Sequence, residues 1–463
     1  MLKLYNALTR RVDEFVPIEE NKVKMYSCGP TVYYYPHIGN MRAYIFMDSL
    51  RRILKYNGYQ VEGVMNITDV GHLTSDEDSG EDKMELSAKK EKKTPYEIAA
   101  YYTNIFMNNL DLLNIETPEH ITKATEYVDK MIDFIKVLEE KGFTYYIEGD
   151  GLYFDIQKFK GYGMLSGKDL EKSGISRTGE KELKRHQFDF ALWKEVPENH
   201  IMKWNSPWGL GCPGWHTECC VMSQDHFGSK FDIHTGGIDH KPIHHENEIA
   251  QNDAVAGHRV VNRWMHNEFV QVDGGKMSKS LGNIYTIDQL KEMGYDPMSF
   301  KYFCLQTYYG KKINFTFDTL KASQTALIKL HNLLNEHKSS SAKTSVETLE
   351  KYKQEFLNAI NDDLNTPLAI GIIWSMLKNE PKSKDLYDLT IQFDNALGLK
   401  LDKTLEIAEE NVDIPEEIKI LAEQRWNAKI EKNWAVADAL RQELSSKGYV
   451  IKDSKEGYEI TRI

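Results

Sequence analysis

The fold of this chain is decided by residues 23–67, which begin VKMYSCGPTVYYYPHIGN at residues 23–40. The run from Val23 to Cys28 predicts a short strand, and the Gly-Pro and Tyr-Pro pairs that follow it mark a turn. From Asn40 apolar residues recur at helical spacing as far as Gly58, and residues 61–67 predict the next strand. A strand, loop, helix and strand of this length predict a parallel βαβ unit, whose first loop is a natural phosphate site.

The turn into this helix is a first candidate phosphate site. His37 and Asn40 lie there, and a helix N-terminus has unpaired N–H groups and a partial positive charge that favour phosphate. The alternative is purely structural, because Asn is a good helix cap and Gly39 is an ordinary turn residue. The turn by itself leaves both interpretations open.

The loop Lys276 to Ser280, with the sequence KMSKS, is a second candidate phosphate site. Its two ammonium groups and two hydroxyls would bind phosphate oxygens, and the glycines before it would let it close over a ligand. A plain solvated basic loop is the alternative. However, a predicted strand at residues 268–272 leads into the loop, and the His37 turn lies upstream. The two motifs together favour a phosphate-binding function.

The composition is that of a large globular protein. The 463 residues suit three or four domains, and 41% hydrophobic with 28% charged residues exclude a disordered chain. The N-terminus has no signal-peptide core and no apolar run could cross a bilayer, so we expect a cytoplasmic protein without membrane contact. Five cysteines without regular spacing do not predict a disulfide framework. The net charge of −12 argues against a general nucleic-acid coat protein but allows a local RNA-binding strip.

Changes of pattern along the chain predict its organisation. Residues 119–141 predict a helix, and Gly149-Asp150-Gly151 between two apolar runs predicts a hairpin. The charged run Ser75–Lys93 is interpreted as a solvated loop that leads into a helix. After residue 318 helical patterns dominate, and residues 449–463 predict a small hairpin.

The predicted fold class is α/β. A Rossmann-like parallel-sheet catalytic domain with an α+β insertion is followed by an α-helical bundle and a small C-terminal domain. The predicted limits are 1–115 and 216–265 for the two halves of the catalytic domain, 116–215 for the insertion, 266–318 for the region with the KMSKS loop, 319–400 for the bundle and 401–463 for the C-terminal domain.

Cysteine, histidine and glutamate residues at three places in the chain are candidates for a metal site, and the alternative is that the cysteines are simply packed in the core. Cys28 closes the first strand, Cys219 ends a Gly-Trp-His-Thr-Glu-Cys segment, and His244 and Glu248 are four apart, on one face of a helix. Two thiolates, an imidazole and a carboxylate would form a tetrahedral zinc site. Spacing alone leaves the ligands open, because several neighbours compete for the role: Cys212, Cys220, His216, His240 and His245.

The two phosphate motifs together resemble the paired signature of the class I aminoacyl-tRNA synthetases. More narrowly, CGPTVY at residues 28–33, GWHTEC at residues 214–219 and HHENE at residues 244–248 are similar to the cysteinyl-tRNA synthetase family. The similarity runs from Met1 to the C-terminal helix. The first motif of this class usually ends in His, and Asn40 stands there instead. Asn can donate a hydrogen bond but cannot carry charge.

The resemblance implies an enzyme that forms cysteinyl-adenylate from L-cysteine and ATP with Mg²⁺, and then passes the cysteinyl group to the terminal ribose of tRNA(Cys). It implies one zinc ion per chain, in the amino-acid pocket, and a stem-contact role for residues 266–318. The residues implied are Cys28, Cys219, His244 and Glu248 for zinc; His37, Gly39, Asn40, Lys276 and Lys279 for ATP and catalysis; and Thr68, Trp215, His234 and Asp239 for the amino acid.

The chemistry of such a zinc site would account for selectivity between cysteine and serine. The two amino acids differ by one atom, and a steric pocket separates such pairs poorly. Zinc binds a thiolate well and a serine hydroxyl poorly. In this family Asp239 would pair with the substrate ammonium. After Thr68-Asp69 the chain departs from the family pattern, because residues 70–73 (VGHL) stand where further Asp and Lys residues are typical.

The resemblance implies that the C-terminal domain, residues 401–463, binds the anticodon of the tRNA. Arg425, Trp426, Lys429, Trp434 and Arg441 lie on a predicted helical stretch and could pair with phosphates or stack on splayed bases. The alternative is a helix that packs its apolar face and solvates its cations. Two other functions stay open: a ligase that joins cysteine to a small amine, and an inactive relative that only binds RNA. We expect a monomer.

Overall fold

The computed structural model describes residues 1–71, 82–167, 183–275, 277, 282–403, 405, 415–453 and 457–462. The chain forms two compact units, Met1–Leu405 and Glu406–Ile463. In the described part of the chain, no helix is both long and apolar enough to span a bilayer.

The strands are, in chain order, β1 (Lys3–Asn6), β2 (Arg11–Glu14), β3 (Lys22–Ser27), β4 (Gln60–Ile67), β5 (His120–Lys123), β6 (Thr144–Ile147), β7 (Gly151–Phe154), β8 (Phe190–Glu195), β9 (Trp204–Ser206), β10 (Gly209–Pro213), β11 (Phe231–Gly237), β12 (Val261–Asn267), β13 (Val270–Val272), β14 (Ile313–Phe315), β15 (Tyr449–Asp453) and β16 (Tyr458–Arg462). The helices are α1 (Ile38–Tyr56), α2 (Lys83–Glu91), α3 (Pro95–Leu112), α4 (Val128–Glu140), α5 (Trp215–Phe227), α6 (His244–Ala256), α7 (Ile287–Glu292), α8 (Pro297–Leu305), α9 (Phe317–Lys338), α10 (Val346–Asn361), α11 (Thr366–Asn379), α12 (Lys384–Leu397), α13 (Glu416–Ile430) and α14 (Trp434–Ser446).

The centre of the larger unit is a five-stranded parallel sheet in the order β12-β11-β3-β4-β5. The predicted βαβ unit is confirmed as β3, α1 and β4, although α1 begins at Ile38, two residues before the predicted start. β11 lies between β12 and β3 and pairs in parallel with both. In such a sheet, ligands bind in the crevice at the carboxyl ends of the strands.

The prediction of one helix over residues 119–141 is wrong in its first half. His120–Lys123 forms β5, which pairs with β4, and α4 begins only at Val128. Pairing with an open sheet edge outweighed the local helical pattern, since strand propensity depends on the neighbours that a strand finds. Consequently the parallel sheet extends into the range expected for the insertion.

The insertion has its own antiparallel sheet, in the order β6-β7-β8-β10-β9. The predicted hairpin is confirmed as β6 and β7. Glu246 of α6 ties the insertion to the catalytic core, because its buried carboxylate accepts hydrogen bonds from the backbone N–H groups of Gly163, Leu165 and Ser166 at 2.9, 3.0 and 2.7 Å.

Hydrogen bonds to backbone carbonyl groups hold both flanks of the KMSKS loop against α1. Before the loop, buried Arg42 of α1 donates to the carbonyl oxygens of Glu268 and Phe269, both at 2.6 Å, next to β13. After the loop, Ile38 N–H donates to the Tyr285 carbonyl at 2.8 Å. β13 itself pairs in parallel with β14.

A buried charge cluster joins α1 to α8. The Asp48 carboxylate accepts hydrogen bonds from Lys301 Nζ at 2.7 Å and Arg52 Nε at 2.8 Å, and Lys301 and Asp48 are fully buried. Burial by itself would raise the pKa of Asp48, but Lys301 and Arg52 lower it below its usual range. The helices predicted after residue 318 follow as α9 to α12, where Phe356 and Phe393 stack at 4.0 Å.

The smaller unit consists of α13, α14 and the hairpin β15–β16, as predicted. Its small core includes Ile418, Ala422 and Leu444. Arg425 is 4% exposed and forms an ion pair with Asp453, with the second nitrogen–oxygen contact at 2.9 Å. Lys429 pairs with the same carboxylate at 2.8 Å. These two cations therefore stabilise the unit internally.

Candidate active site and metal centre

A cavity of about 710 Å³ opens at the carboxyl ends of the central strands. It is lined by residues that follow β3, β11 and β12, together with the start of α1. Cys28, His37, Trp215, Asp239 and His244 all line it. The sequence-predicted metal, phosphate and amino-acid residues are thus represented in one cavity, as the parallel topology predicts.

The His37 turn is both a helix cap and part of the cavity wall. His37 is the N-cap of α1: its Nδ1 accepts from Asn40 N–H at 3.2 Å, and Asn40 Oδ1 accepts from His37 N–H at 3.1 Å. This reciprocal arrangement is a capping box. It holds both side chains at the helix N-terminus, where backbone N–H groups and the helix dipole favour an anion.

Gly39 allows the KMSKS loop to approach this turn. A Cβ atom at Gly39 would lie 2.4 Å from Met277 Cε and 3.0 Å from the His37 ring. Met277 also lines the cavity. Lys276 and Lys279 lie outside the described residues. Met277, the described residue of this loop, therefore lies beside the His37 turn.

The candidate metal centre lies beside Cys28. One nitrogen, sulfur or oxygen atom from each of Cys28, His244, His245 and Glu248 lies within 4.8 Å of the others, and all four residues are buried. His244 Nε2 is 2.9 Å from Glu248 Oε1, and Cys28 Sγ is 4.0 Å from the same oxygen. Glu248 Oε2 is buried without a hydrogen-bond partner among the described residues. Such an orphaned carboxylate oxygen fits a cation.

Cys219 and His245 are alternative fourth members of this set. Cys219 Sγ is 3.9 Å from Cys28 Sγ, and His245 Nε2 is 3.2 Å from it. Two thiolates on one tetrahedral zinc ion would be about 3.8 Å apart, which matches the first distance. His245 also contacts His266, with Nδ1 2.8 Å from its Nε2. The zinc ligands that the resemblance implies do not include His245, but the structure places it in the cluster.

Burial dominates the electrostatics of the cluster. It raises the pKa values of Cys28 and Glu248 well above their usual ranges and lowers those of His234 and His245 well below. Cys219 differs: burial would raise its pKa, but the hydrogen bond from Cys28 and the nearby His244 bring it to about 7. Its thiol is therefore readily ionised, and a thiolate is the form that binds metal.

The four residues predicted for the amino-acid pocket occupy different positions. Trp215 lines the cavity and stacks on His244, with ring centres 4.1 Å apart and planes at 6°. Asp239 lines the cavity and is exposed. His234 is fully buried, with Nε2 3.4 Å from Cys28 Sγ. Thr68 is 6% exposed, and its hydroxyl donates to Glu218 Oε2 at 2.7 Å.

Asn66 and Glu218 are polar residues of the site that the sequence did not reveal. Asn66 Oδ1 accepts from Gly29 N–H at 2.7 Å, and its Nδ2 donates to Thr68 Oγ1 at 3.1 Å. Glu218 is fully buried, and burial raises its pKa well above the usual range. A carboxyl group inside the GWHTEC segment was the available signal for Glu218.

The remaining three cysteines are not members of the candidate metal cluster. Cys212, Cys220 and Cys304 are buried and free. Burial raises the pKa values of Cys212 and Cys304 to about 12, so both stay protonated. Cys220 directs its Sγ to the His216 carbonyl at 3.4 Å. Their position agrees with structural roles.

Comparison with known proteins identifies the family. Residues 14–325 match the model described as tRNA synthetases class I (C) catalytic domain. The chain is 41% identical to cysteine–tRNA ligase 1 of Burkholderia lata, over 99% of this chain and 96% of that relative. It is 40% identical to the cysteine–tRNA ligase of Treponema denticola, over 98% of both chains. The chain belongs to the cysteine–tRNA ligase family. The resemblance of the CGPTVY, GWHTEC and HHENE segments to this family is thereby confirmed.

Solved structures show the same fold as this member of the cysteine–tRNA ligase family. The methionyl-tRNA synthetase of Mycobacterium tuberculosis, in complex with methionyl-adenylate, aligns with a TM-score of 0.57 at 13% identity, over 82% of this chain and 90% of that one. The leucyl-tRNA synthetase of Agrobacterium radiobacter, in a ternary complex with tRNA, aligns with a TM-score of 0.60 at 12% identity, over 84% of this chain and 85% of that one. The Rossmann-like fold class is thereby confirmed.

Proposed function

We propose that this chain activates L-cysteine with ATP and Mg²⁺ to cysteinyl-adenylate, releases pyrophosphate, and transfers the cysteinyl group to the terminal ribose of tRNA(Cys). One observation carries this proposal: Cys28 and His244 of the Cys/His/Glu cluster line the same cavity as the capped N-terminus of α1. A thiol-binding site next to a phosphate-binding site is the arrangement that cysteine activation requires.

ATP would lie with its phosphates at the start of α1. His37, Gly39 and Asn40 line the cavity there, and the first N–H groups of the helix add donors. Lys276 and Lys279 would supply cations where negative charge develops on the phosphates. Preorganised charge of this kind is a large part of catalysis in adenylate formation.

The metal cluster suits zinc. We propose Cys28, Cys219, His244 and Glu248 as its ligands, because two thiolates and an imidazole make a soft set and Cys219 is readily ionised. Zinc bound there would hold the substrate sulfur as a thiolate and reject the serine hydroxyl. His245 would then be a neighbour of the site rather than a ligand.

The amino-acid backbone would be recognised beside this cluster. Asp239 would pair with the substrate ammonium, and Trp215 would close the pocket over His244. Thr68 and His234 would support the pocket from beneath, since the Thr68 hydroxyl contacts Glu218 and His234 contacts Cys28.

ATP–pyrophosphate exchange tests the activation step. Exchange should depend on cysteine, and serine should support little, because only a thiol satisfies the metal. Charging of tRNA(Cys) would then distinguish this function from that of a ligase that joins cysteine to a small amine. Absence of exchange would instead indicate an inactive relative that only binds RNA. Equal exchange with serine would contradict the metal-based selectivity.

The smaller unit, Glu406–Ile463, is the proposed anticodon-binding region. Arg425 and Lys429 are engaged with Asp453, so the exposed candidates are Lys432, Trp434 and Arg441. A chain ending at Leu405 should retain cysteine-dependent exchange but bind tRNA more weakly, with a shallower salt dependence as phosphate contacts are lost. Undiminished charging by that chain would exclude an RNA role.

The state of the cysteines bears on the cellular compartment of the protein. The five cysteines are all free and buried, which suits a reducing compartment, and we propose the cytoplasm. We propose a monomer, for which light scattering in solution should give a mass near the 53.6 kDa of the chain.

A further inference from the structure

A group of tyrosine rings stands at the mouth of the cavity. Tyr34, Tyr35 and Tyr101 are 39%, 38% and 41% exposed and surround Tyr102, which is 2% exposed. We call the three exposed rings the tyrosine platform. Isolated exposed aromatic residues are common, but three that are linked through Tyr35, two of them lining a ligand cavity, indicate an interaction surface.

The rings of the platform contact one another edge to face. Tyr34 and Tyr35 have ring centres 5.5 Å apart at 87°, and Tyr35 and Tyr101 have theirs 6.5 Å apart at 84°. The hydroxyls of Tyr35 and Tyr101 are 3.3 Å apart. Tyr102 anchors the group from below through its contacts with Tyr35 and Glu91. The exposed rings are thus held in place without being buried.

Cations flank the platform. Lys93 places its Nζ 4.2 Å from the ring centre of Tyr101, and Lys89, Lys90 and Lys92 are exposed on the same short segment. This segment is the basic end of the charged run Ser75–Lys93, which the sequence alone suggested was merely solvated. Aromatic rings interleaved with lysines are the usual surface for single-stranded nucleic acid.

The platform is continuous with the catalytic cavity. Tyr34 and Tyr35 line the same cavity as Cys28, His37 and His244. Any polynucleotide that delivers its terminal ribose to an adenylate in this cavity must pass the mouth with its last nucleotides unpaired. The rings and lysines therefore lie where those bases and phosphates have to be.

We infer that the tyrosine platform stacks the unpaired 3′-terminal nucleotides of the tRNA and so directs the terminal ribose into the cavity. This inference rests on the proposed aminoacylation function. Stacking on an aromatic ring is tolerant of base identity and suits an unpaired end. A protein partner would instead favour a continuous apolar patch without the flanking lysines.

Substitution of Tyr101 tests the inference, because this residue does not line the cavity. In Tyr101→Ala the ratio of tRNA charging (as kcat/KM) to cysteine-dependent pyrophosphate exchange should fall roughly 5- to 100-fold, the range expected for one lost stacking contact. Tyr101→Phe keeps the ring and should restore the ratio. Tyr96→Ala, which removes another exposed tyrosine of α3, is the matched control and should leave the ratio unchanged.

A photochemical experiment gives a readout that a structural role would not affect. A tRNA with 5-iodocytidine in its unpaired 3′ end should crosslink on irradiation to peptides that contain Tyr34, Tyr35 or Tyr101. A normal charging ratio in Tyr101→Ala together with crosslinks elsewhere would overturn the inference. If the wild-type chain showed no cysteine-dependent exchange at all, the proposed function itself would fail, which is a distinguishable result.

Discussion

Replacement of Cys219 by Ser, and separately of His245 by Gln, decides which side chain completes the metal site. Cys219 Sγ lies 3.9 Å from Cys28 Sγ, and His245 Nε2 lies 3.2 Å from it. The first distance equals, within about 0.1 Å, the sulfur–sulfur edge of a tetrahedral zinc site. The depressed pKa of Cys219, about 7, also favours its thiolate. We therefore expect Cys219→Ser to lose zinc and His245→Gln to keep it.

The size of the effect follows from the number of ligands. Zinc binds a four-ligand protein site with roughly 10–16 kcal/mol, so one ligand contributes about 3 kcal/mol if the total is divided evenly. Loss of Cys219 should then weaken zinc affinity on the order of 100-fold. Cysteine activation should fall with zinc occupancy, because the substrate thiol loses its partner.

Two measurements on the intact protein check this prediction. Zinc content per chain reports occupancy, and the thiolate-to-metal absorption of the Co²⁺-substituted protein scales with the number of cysteine ligands. That absorption should drop to about half in Cys219→Ser if two thiolates bind the metal. Cys220→Ser is the matched control, since this buried neighbour points toward the His216 carbonyl. Full zinc content in Cys219→Ser, with loss in His245→Gln, would refute the assignment.

Three further predictions concern catalysis, stability and pH. Lys279→Ala should slow pyrophosphate exchange by roughly 100- to 1,000-fold and leave the melting temperature unchanged. A small change in the exchange rate would mean that the KMSKS loop does not bind phosphate. Asp48→Ala leaves the buried Lys301 ammonium without its carboxylate and should lower the free energy of unfolding by about 3–5 kcal/mol, which is measured as a lower melting temperature. Adding Lys301→Met to Asp48→Ala should partly restore the melting temperature. Arg425 and Lys429 lower the pKa of Asp453 from the ordinary 3.8 to about 2. The Asp453 carboxylate therefore stabilises the smaller unit fully above pH 3.8, and this contribution is lost as the pH falls toward 2. The acid transition of the unit, followed by circular dichroism, should flatten in Asp453→Asn.

The sequence predicted the parts of the fold that local periodicity controls. The β3–α1–β4 unit was found because its strands and helix each show a clear period. The strand at His120–Lys123 was missed because its stability comes from pairing with β4, which is remote in the chain. In the same way, Asn66 joins the site through a contact with Gly29 across 37 residues, and no spacing rule encodes such a contact. Spacing named His245 only as one of several competing ligands, because its contact with Cys28 spans 217 residues.

The contacts that fasten both flanks of the KMSKS loop to α1 bear on the entropy of ATP binding. Arg42 holds the entering strand and Ile38 N–H holds the departing chain at Tyr285, so both ends of the loop rest on the helix that begins at His37. Closing a chain segment costs entropy. For the described flanks at Glu268, Phe269 and Tyr285, that cost is met once, when the domain folds. On the proposed function, ATP then does not have to hold these two flanks in place, and its affinity depends more on the contacts that the phosphates make.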